Sequence, residues 1–211
     1  MPASKQFTHF INSRGNLGEV RLRAQQVLVN PYPLLRTYYF GKWLLFVGPR
    51  SIKTLMTNVV AGLAEHEDIR VLDCGNHYDP KLAAGLARDK PDLSGHIHIK
   101  HAHSAAEALY ILDHTSMIPQ PFIALDLLRP FQDGAIDFEK RKGMLAACLQ
   151  NLRRLQLSTG GMVSLSPPSV GADADARELY ALVRREAKRT FDAVVFHPAA
   201  GMERDFFQQA G

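Results

Sequence analysis

The chain has 211 residues, of which 46% are hydrophobic and 22% are charged, and its formal net charge is +4 at pH 7. This composition excludes a disordered or low-complexity protein and favours one globular domain with a large apolar core. The longest apolar runs are far shorter than the ~20 residues that a membrane-spanning helix requires, so we expect no membrane association.

The chain divides into three parts. Residues 1–40 have no clear period and are interrupted by glycine and proline, so we interpret them as an N-terminal extension packed on the core. Between residues 41 and 198, short apolar segments alternate with longer helical ones, which predicts an α/β core. Residues 199–211 again lack a period and are interpreted as a C-terminal tail.

Six strands and five helices are predicted in the core. The strands are Leu44–Val47, Ile69–Cys74, His96–His101, Phe122–Leu128, Met162–Leu165 and Ala193–Phe196. The helices are Lys53–Glu65, Asp79–Arg88, Ala105–His114, Asp137–Leu157 and Asp173–Arg189. Regular alternation favours right-handed crossovers, and hence a doubly wound, mainly parallel sheet with helices on both faces.

The first predicted strand runs into an altered phosphate-binding loop. The intact motif, Gly-x-x-x-x-Gly-Lys-Ser/Thr, wraps backbone N–H groups around phosphate, and its last two residues contact the outer phosphates and Mg²⁺. Lys53 and Thr54 stand at those last two positions, but Val47 and Ile52 replace both glycines. The candidate nucleotide-binding residues are Gly48, Pro49, Arg50, Ser51, Ile52, Lys53, Thr54 and Asp126.

Asp126 belongs to this set because it follows the apolar run Phe122–Leu125, and an apolar strand ending in Asp is the pattern that positions Mg²⁺ in loop-type ATPases. We therefore expect ATP and Mg²⁺ as candidate ligands, with Thr54 and Asp126 as the metal residues. The alternative for Asp126 is a capping role in the following turn.

Residues 41–198 resemble the ATPase core of the RecA/RadA/KaiC-like P-loop superfamily. The resemblance rests on the order of six segments: the loop at 47–54, Val71–Leu82, Ile97–Ala105, the strand ending at Asp126, Gly143–Leu157 and Gly161–Ser166. It implies a RecA-like fold, assembly with RecA-like subunits or another protein partner, and a role in DNA recombination or repair.

The same resemblance implies a degenerate member. The turn position that carries the family's water-polarising Glu is Gly75, and Ser164 and Ser166 replace the polar sensor. The resemblance therefore implies weak or absent ATP hydrolysis and no catalytic residue. His77 would serve as a base only if it were suitably placed.

Several cations cluster on the predicted helices, and a basic face can bind the phosphates of nucleic acid. The alternative is a solvated helix face, because acidic residues lie among these cations. The candidate DNA or partner contacts on the first helix are Lys140, Arg141, Lys142, Arg153 and Arg154, and Arg184, Arg185, Lys188 and Arg189 lie on the second.

Two weaker patterns remain. Phe207 and Ala210 match the Phe-x-x-Ala pattern by which recombinases hold a neighbouring subunit, although chance alone supplies such matches. His96, His98, His101 and His103 would place two rings on each side of a strand, which favours polar surface residues over a zinc site.

The two cysteines, Cys74 and Cys148, lie far apart in apolar segments and are expected to be buried thiols in a reducing compartment. No signal-peptide pattern occurs at the amino end, so a cytoplasmic location is expected. Two main functions stay open: a RecA-like protein with residual nucleotide binding, and a scaffold on the same fold that binds no nucleotide. A third class is a small-molecule kinase that uses the same loop, and the absence of a recognisable Arg-rich lid counts against it.

Overall fold

A computed structural model describes residues 18–21, 42–48, 53–86 and 93–196. The strands are β1 (Gly18–Arg21), β2 (Trp43–Val47), β3 (Ile69–Asp73), β4 (Ile97–His101), β5 (Phe122–Leu125), β6 (Gly161–Leu165) and β7 (Ala193–Phe196). The helices are α1 (Lys53–Ala64), α2 (Pro80–Leu86), α3 (Ala105–Asp113), α4 (Phe138–Leu155) and α5 (Ala174–Thr190). Two 3₁₀ turns, Leu93–His96 and Arg129–Gln132, precede β4 and follow β5.

The seven strands form one sheet in the order β1-β7-β2-β6-β5-β3-β4. Every strand pairing is parallel, so the carboxyl ends of all the strands lie along one edge. Ligands of doubly wound sheets bind along this edge, where the chain crosses between the two faces. β2, which leads into the altered loop, is central and lies between β6 and β7.

Helices cover both faces of the sheet. On one face α1 packs on β2, β3 and β5 through residues such as Leu55, Val59 and Leu63. On the other face α3, α4 and α5 pack together over the same strands, with Leu149 and Leu152 at the centre. Because side chains alternate along a strand, neighbouring residues of β2 such as Leu44 and Leu45 contribute to opposite cores.

Side chains just ahead of three helices fix where those helices begin. The Ser104 hydroxyl accepts the Glu107 N–H before α3, and Asp137 accepts the Glu139 and Lys140 N–H groups before α4. Asp173 accepts the Ala176 N–H at 2.7 Å before α5. These bonds satisfy N–H donors that the helix itself leaves unpaired, so each of the three helices begins at a defined residue.

The predicted fold class is confirmed. The chain is α/β, with a doubly wound parallel sheet and helices on both faces, and the architecture is consistent with a RecA-like fold. The extension at 1–40 contributes β1, which pairs with β7 at one edge of the sheet. Among the described helices, none has the length and apolar character needed to cross a membrane.

Candidate functional site

The altered loop begins at the carboxyl end of β2. The Gly48 N–H donates to the Leu165 carbonyl at 3.1 Å, so this glycine extends the pairing of β2 with β6. Pro49, Arg50, Ser51 and Ile52 lie outside the described residues, and Lys53 is the first residue of α1. The sequence predictions for those four residues therefore stay predictions.

Lys53 is directed toward the turn that follows β3. Its Nζ lies 4.0 Å from Asp79 Oδ2, and the two side chains are 44% and 38% exposed. Asp79 is itself fixed, because its N–H donates to the buried Thr57 hydroxyl at 3.1 Å and its Oδ1 accepts two N–H groups at the start of α2. Thr54, the predicted metal residue, is exposed beside Lys53.

Asp126 lies at the centre of the carboxyl edge, directly after β5. Its backbone has a φ of 50°, and the residue is only 2% exposed. The Asp126 N–H donates to Ser164 Oγ at 2.8 Å, and its Oδ1 accepts the Ser166 N–H at 2.9 Å. Asp126 thus fastens the end of β5 to the end of β6.

The second carboxylate oxygen of Asp126 faces a histidine. His77 Nε2 lies 3.5 Å from Asp126 Oδ2, and the two side chains are 6% and 3% exposed. His77 Nδ1 is buried and has no hydrogen-bond partner among the described residues. Both oxygens of the predicted metal-positioning carboxylate therefore face groups of the protein itself.

Asp73, the last residue of β3, brings His77 to this position. Its Oδ1 accepts the N–H groups of Gly75 at 3.2 Å and His77 at 2.9 Å, and its Oδ2 accepts the Tyr78 N–H at 3.1 Å. Asn76 completes the turn with a φ of 54°, a left-handed conformation that Asn tolerates better than most residues. The turn after β3 therefore folds around one buried carboxylate.

Gly75 lies where the turn comes closest to Asp126. A Cβ added there would lie 2.8 Å from His77 Cδ2, 2.9 Å from Asp126 Cβ and 3.0 Å from Asp126 Oδ2. Carbon atoms in proteins do not approach so closely, and a well-packed site accommodates extra atoms only by moving its neighbours. The family resemblance places a water-polarising Glu at position 75. His77 and Asp126 fill the space that its side chain would need.

Both cysteines are buried, as predicted. Burial raises the pKa of Cys148 to about 12. Burial also raises the pKa of Cys74 well above its ordinary value, and the neighbouring Asp73 carboxylate acts in the same direction. Both side chains are protonated at neutral pH and lack the thiolate that nucleophilic or metal chemistry requires.

The cations of α4 are mostly engaged within the fold. Arg141 is buried and donates to the Phe131 carbonyl at 2.9 Å and to Asp175 at 2.6 Å. Lys142 lies 2.7 Å from Glu178, and Arg153 lies 2.7 Å from Glu186. These contacts join α4 to α5.

Arg154, the next cation of α4, donates to the Leu112 and Asp113 carbonyls at the end of α3, at 3.0 and 2.8 Å. Lys140 is exposed near the start of α4. Of the five predicted DNA contacts on α4, four therefore bind neighbouring helices, and Lys140 is the exposed fifth. Phe207 and Ala210 lie outside the described residues.

The histidines of the β4 region form two separate groups. His96 Nδ1 lies 2.5 Å from Asp68 Oδ1, and His98 Nε2 lies 3.9 Å from the other oxygen of that carboxylate. The rings of His101 and His103 stack at 6.2 Å at the opposite end of the strand. In the described part of the chain, no group of three or more His, Cys, Asp or Glu side chains is arranged to hold a metal.

The structure brings Asp126 together with Ser164 and Ser166, and it places Lys53 beside Asp79. Sequence patterns alone pointed to neither Asp73 nor Asp79 as a site residue. The one available signal was the position of Asp73 at the end of an apolar strand, followed by a glycine-containing turn. No protein-family model and no curated protein sequence matches this chain.

Proposed function

We propose that this chain is a degenerate RecA-like P-loop protein that binds nucleotide weakly or not at all. It acts in DNA recombination, repair or a related regulatory assembly, in the cytoplasm, and its role is binding rather than ATP hydrolysis. The observation that carries the proposal is the occupied carboxylate of Asp126, whose two oxygens face Ser166 N–H and His77 Nε2.

An Mg²⁺-positioning carboxylate needs an oxygen that is open to the ion or to the water molecules around it. Asp126 is 2% exposed, and His77 lies against its second oxygen. Binding of Mg-ATP in the manner of active ATPases would require His77 to move away. That displacement disrupts the turn held by Asp73, and its cost reduces the apparent affinity for nucleotide.

Hydrolysis lacks a water-polarising carboxylate at Gly75, and the packing around Gly75 leaves no room for one. His77 is held against Asp126 and is buried, so it is not positioned to activate a solvent water. Lys53 and Thr54 are the two loop residues that support residual phosphate binding. Lys53, at 4.0 Å from Asp79, would exchange a loose ion pair for a phosphate.

Calorimetric titration of Mg-ATP into the wild type, Lys53→Ala and the control Lys140→Ala tests the proposal, combined with a phosphate-release assay. We expect no phosphate release above background and wild-type binding in the millimolar range or weaker. Any measurable heat should be lost in Lys53→Ala and kept in Lys140→Ala. Steady wild-type turnover that Lys53→Ala abolishes would show that the proposal is wrong.

The alternative is a scaffold that binds no nucleotide, and the internal engagement of Lys53 and Asp126 favours it. The two candidates differ in their dependence on Lys53. A scaffold keeps its partner association in Lys53→Ala, whereas a nucleotide-gated assembly loses it. The candidate partners are further copies of this chain, other RecA-like subunits, and DNA.

Light scattering across a concentration series detects self-assembly, and titration of DNA across a salt series detects phosphate contacts, which weaken steeply with salt. Because α4 uses most of its cations internally, DNA binding would depend on exposed residues such as Arg185 and Lys188 of α5. Their replacement by Gln should weaken DNA binding in either case, whereas Lys53→Ala should leave DNA binding unchanged only if the protein is a scaffold.

A further inference from the structure

A cavity of about 470 Å³ opens where β5 and β6 end, beneath the start of α5. Its lining includes Arg129, Gln132, Arg141, Ser166 and Asp173. This cavity lies beside α4 and α5, whereas Lys53 begins α1 on the opposite face of the sheet. Its size falls in the range of small-molecule sites.

The polar lining contains atoms that the protein leaves unpaired. Ser166 is 2% exposed, and its hydroxyl has no hydrogen-bond partner among the described residues, although its N–H donates to Asp126. Arg141 is 5% exposed, and its Nε is likewise buried and unpartnered. Buried polar atoms in folded proteins nearly always have partners, so these two are candidates for hydrogen bonds to a bound molecule or to ordered water.

The charges around the cavity indicate what that molecule carries. The Arg141 guanidinium is paired with Asp175, and Asp173 accepts the Ala176 N–H of its own helix. Arg129 is exposed, and its hydrogen bond goes to the neutral Gln132 amide at 3.4 Å. Within the described residues no carboxylate forms an ion pair with Arg129, so its charge is available to an anion.

Arg129 and Gln132 also line a second cavity of about 400 Å³ beside Asn76 and His103. The short 3₁₀ turn that carries both side chains therefore separates two adjoining depressions on the carboxyl edge. A ligand bound at Arg129 would be accessible to solvent through this second cavity.

We propose that the larger cavity binds a small molecule bearing one anionic group, either a phosphate or a carboxylate. Arg129 pairs with the anionic group, and the Ser166 hydroxyl and Gln132 amide hydrogen-bond the polar body of the ligand. A guanidinium matches the planar fork of a carboxylate or two phosphate oxygens, which makes Arg129 the main determinant of affinity. The proposal does not depend on nucleotide binding at Lys53.

The test uses the full chain, with inorganic phosphate and acetate as probes, at constant ionic strength maintained with NaCl. The melting temperature and the heat of titration are measured for the wild type, Arg129→Gln, Ser166→Ala and the control Lys100→Gln, which removes a cation of β4 outside the cavity lining. Arg129 and Lys100 are both exposed, so neither replacement should unfold the protein. Ser166→Ala removes a hydroxyl that has no partner, so the ligand-free melting temperature should not fall.

The expected result is saturable binding of at least one probe. The dissociation constant should rise at least about tenfold in Arg129→Gln, which removes a charge-assisted hydrogen bond, and stay unchanged in Lys100→Gln. Ser166→Ala should weaken binding by a smaller factor. Preference between phosphate and acetate then identifies the anionic group.

Three outcomes would overturn the proposal. One is a response that is not saturable or is equal in all four proteins, which would mean that the cavity holds water only. Another is Arg129-dependent binding of a single-stranded oligonucleotide without binding of either small anion. The third is loss of binding in Lys53→Ala with retention in Arg129→Gln, which would place the anion at the altered loop.

Discussion

Replacing Gly75 with Ala tests the packing of the turn around Asp126 directly. The added Cβ would lie 2.8 Å from His77 Cδ2 and 2.9 Å from Asp126 Cβ, so at least one of these side chains must move. Overpacking of this kind costs about 1–3 kcal/mol, and the lower entropy of the unfolded chain offsets about 0.4–1 kcal/mol of it. Subtracting the middles of these two ranges leaves about 1.3 kcal/mol, so we expect a net destabilisation of about 1–2 kcal/mol.

For a domain of this size the corresponding fall in melting temperature is about 2–8 °C. Gly143→Ala is the matched control, since Gly143 is exposed in the middle of α4 and a Cβ there meets nothing within 4 Å. That substitution should stabilise the helix by about 0.5–1 kcal/mol. The two Gly-to-Ala changes should thus have opposite signs.

Thermal and urea unfolding followed by circular dichroism measure both effects. A double-mutant cycle with His77→Ala adds the coupling between the two positions. Contacting residues show interaction energies of about 0.5–3 kcal/mol, so the Gly75→Ala penalty should shrink when the His77 ring is absent. A neutral or stabilising Gly75→Ala change would refute the conclusion that the turn is closed against Asp126.

Two further predictions concern the helix contacts and the thiols. Arg141→Ala should destabilise the protein by about 2–3 kcal/mol, because two hydrogen bonds of a buried guanidinium are lost. The control Lys140→Ala replaces an exposed residue and should change the stability by no more than about 0.5 kcal/mol. Urea unfolding measures both effects, and equal values would contradict the structural role of Arg141. Iodoacetamide at pH 8.5 should label Cys74 and Cys148 only after unfolding, because their raised pKa values keep the folded thiols protonated. Rapid labelling of the native protein would contradict this prediction. Since the unfolded thiols release their protons near about pH 8.5, stability should fall as the pH rises from there toward about 12, and this loss should be smaller in Cys148→Ala.

The sheet could be predicted from the sequence because its signal is local. Continuous apolar runs marked the strands, and the alternation of strands with amphipathic segments marked the crossovers. The predicted strand Phe122–Leu128 was too long. β5 ends at Leu125 because Asp126 takes a positive φ, and Leu127 and Leu128 are buried in the turn that follows.

The arrangement around Asp126 could not be predicted in the same way. It depends on the path of the turn after β3, which is set by three N–H groups converging on Asp73. No periodicity indicates such a turn, and the two residues of the His77–Asp126 contact lie on different strand ends. The cations of α4 present the same difficulty, since their partners on α5 are distant in sequence.

The pairing of β1 with β7 has a consequence for synthesis of the chain. Gly18 aligns with Ala193, so β1 pairs with a strand that is synthesised much later. At a translation rate of about 5–20 residues per second, β7 is synthesised on the order of 10–40 s after β1. For most of that interval β2 also lacks both of its neighbours, because β6 begins at Gly161 and β7 at Ala193. The nascent chain therefore carries unpaired strands through most of its translation, and this is the period in which chaperone protection would matter most.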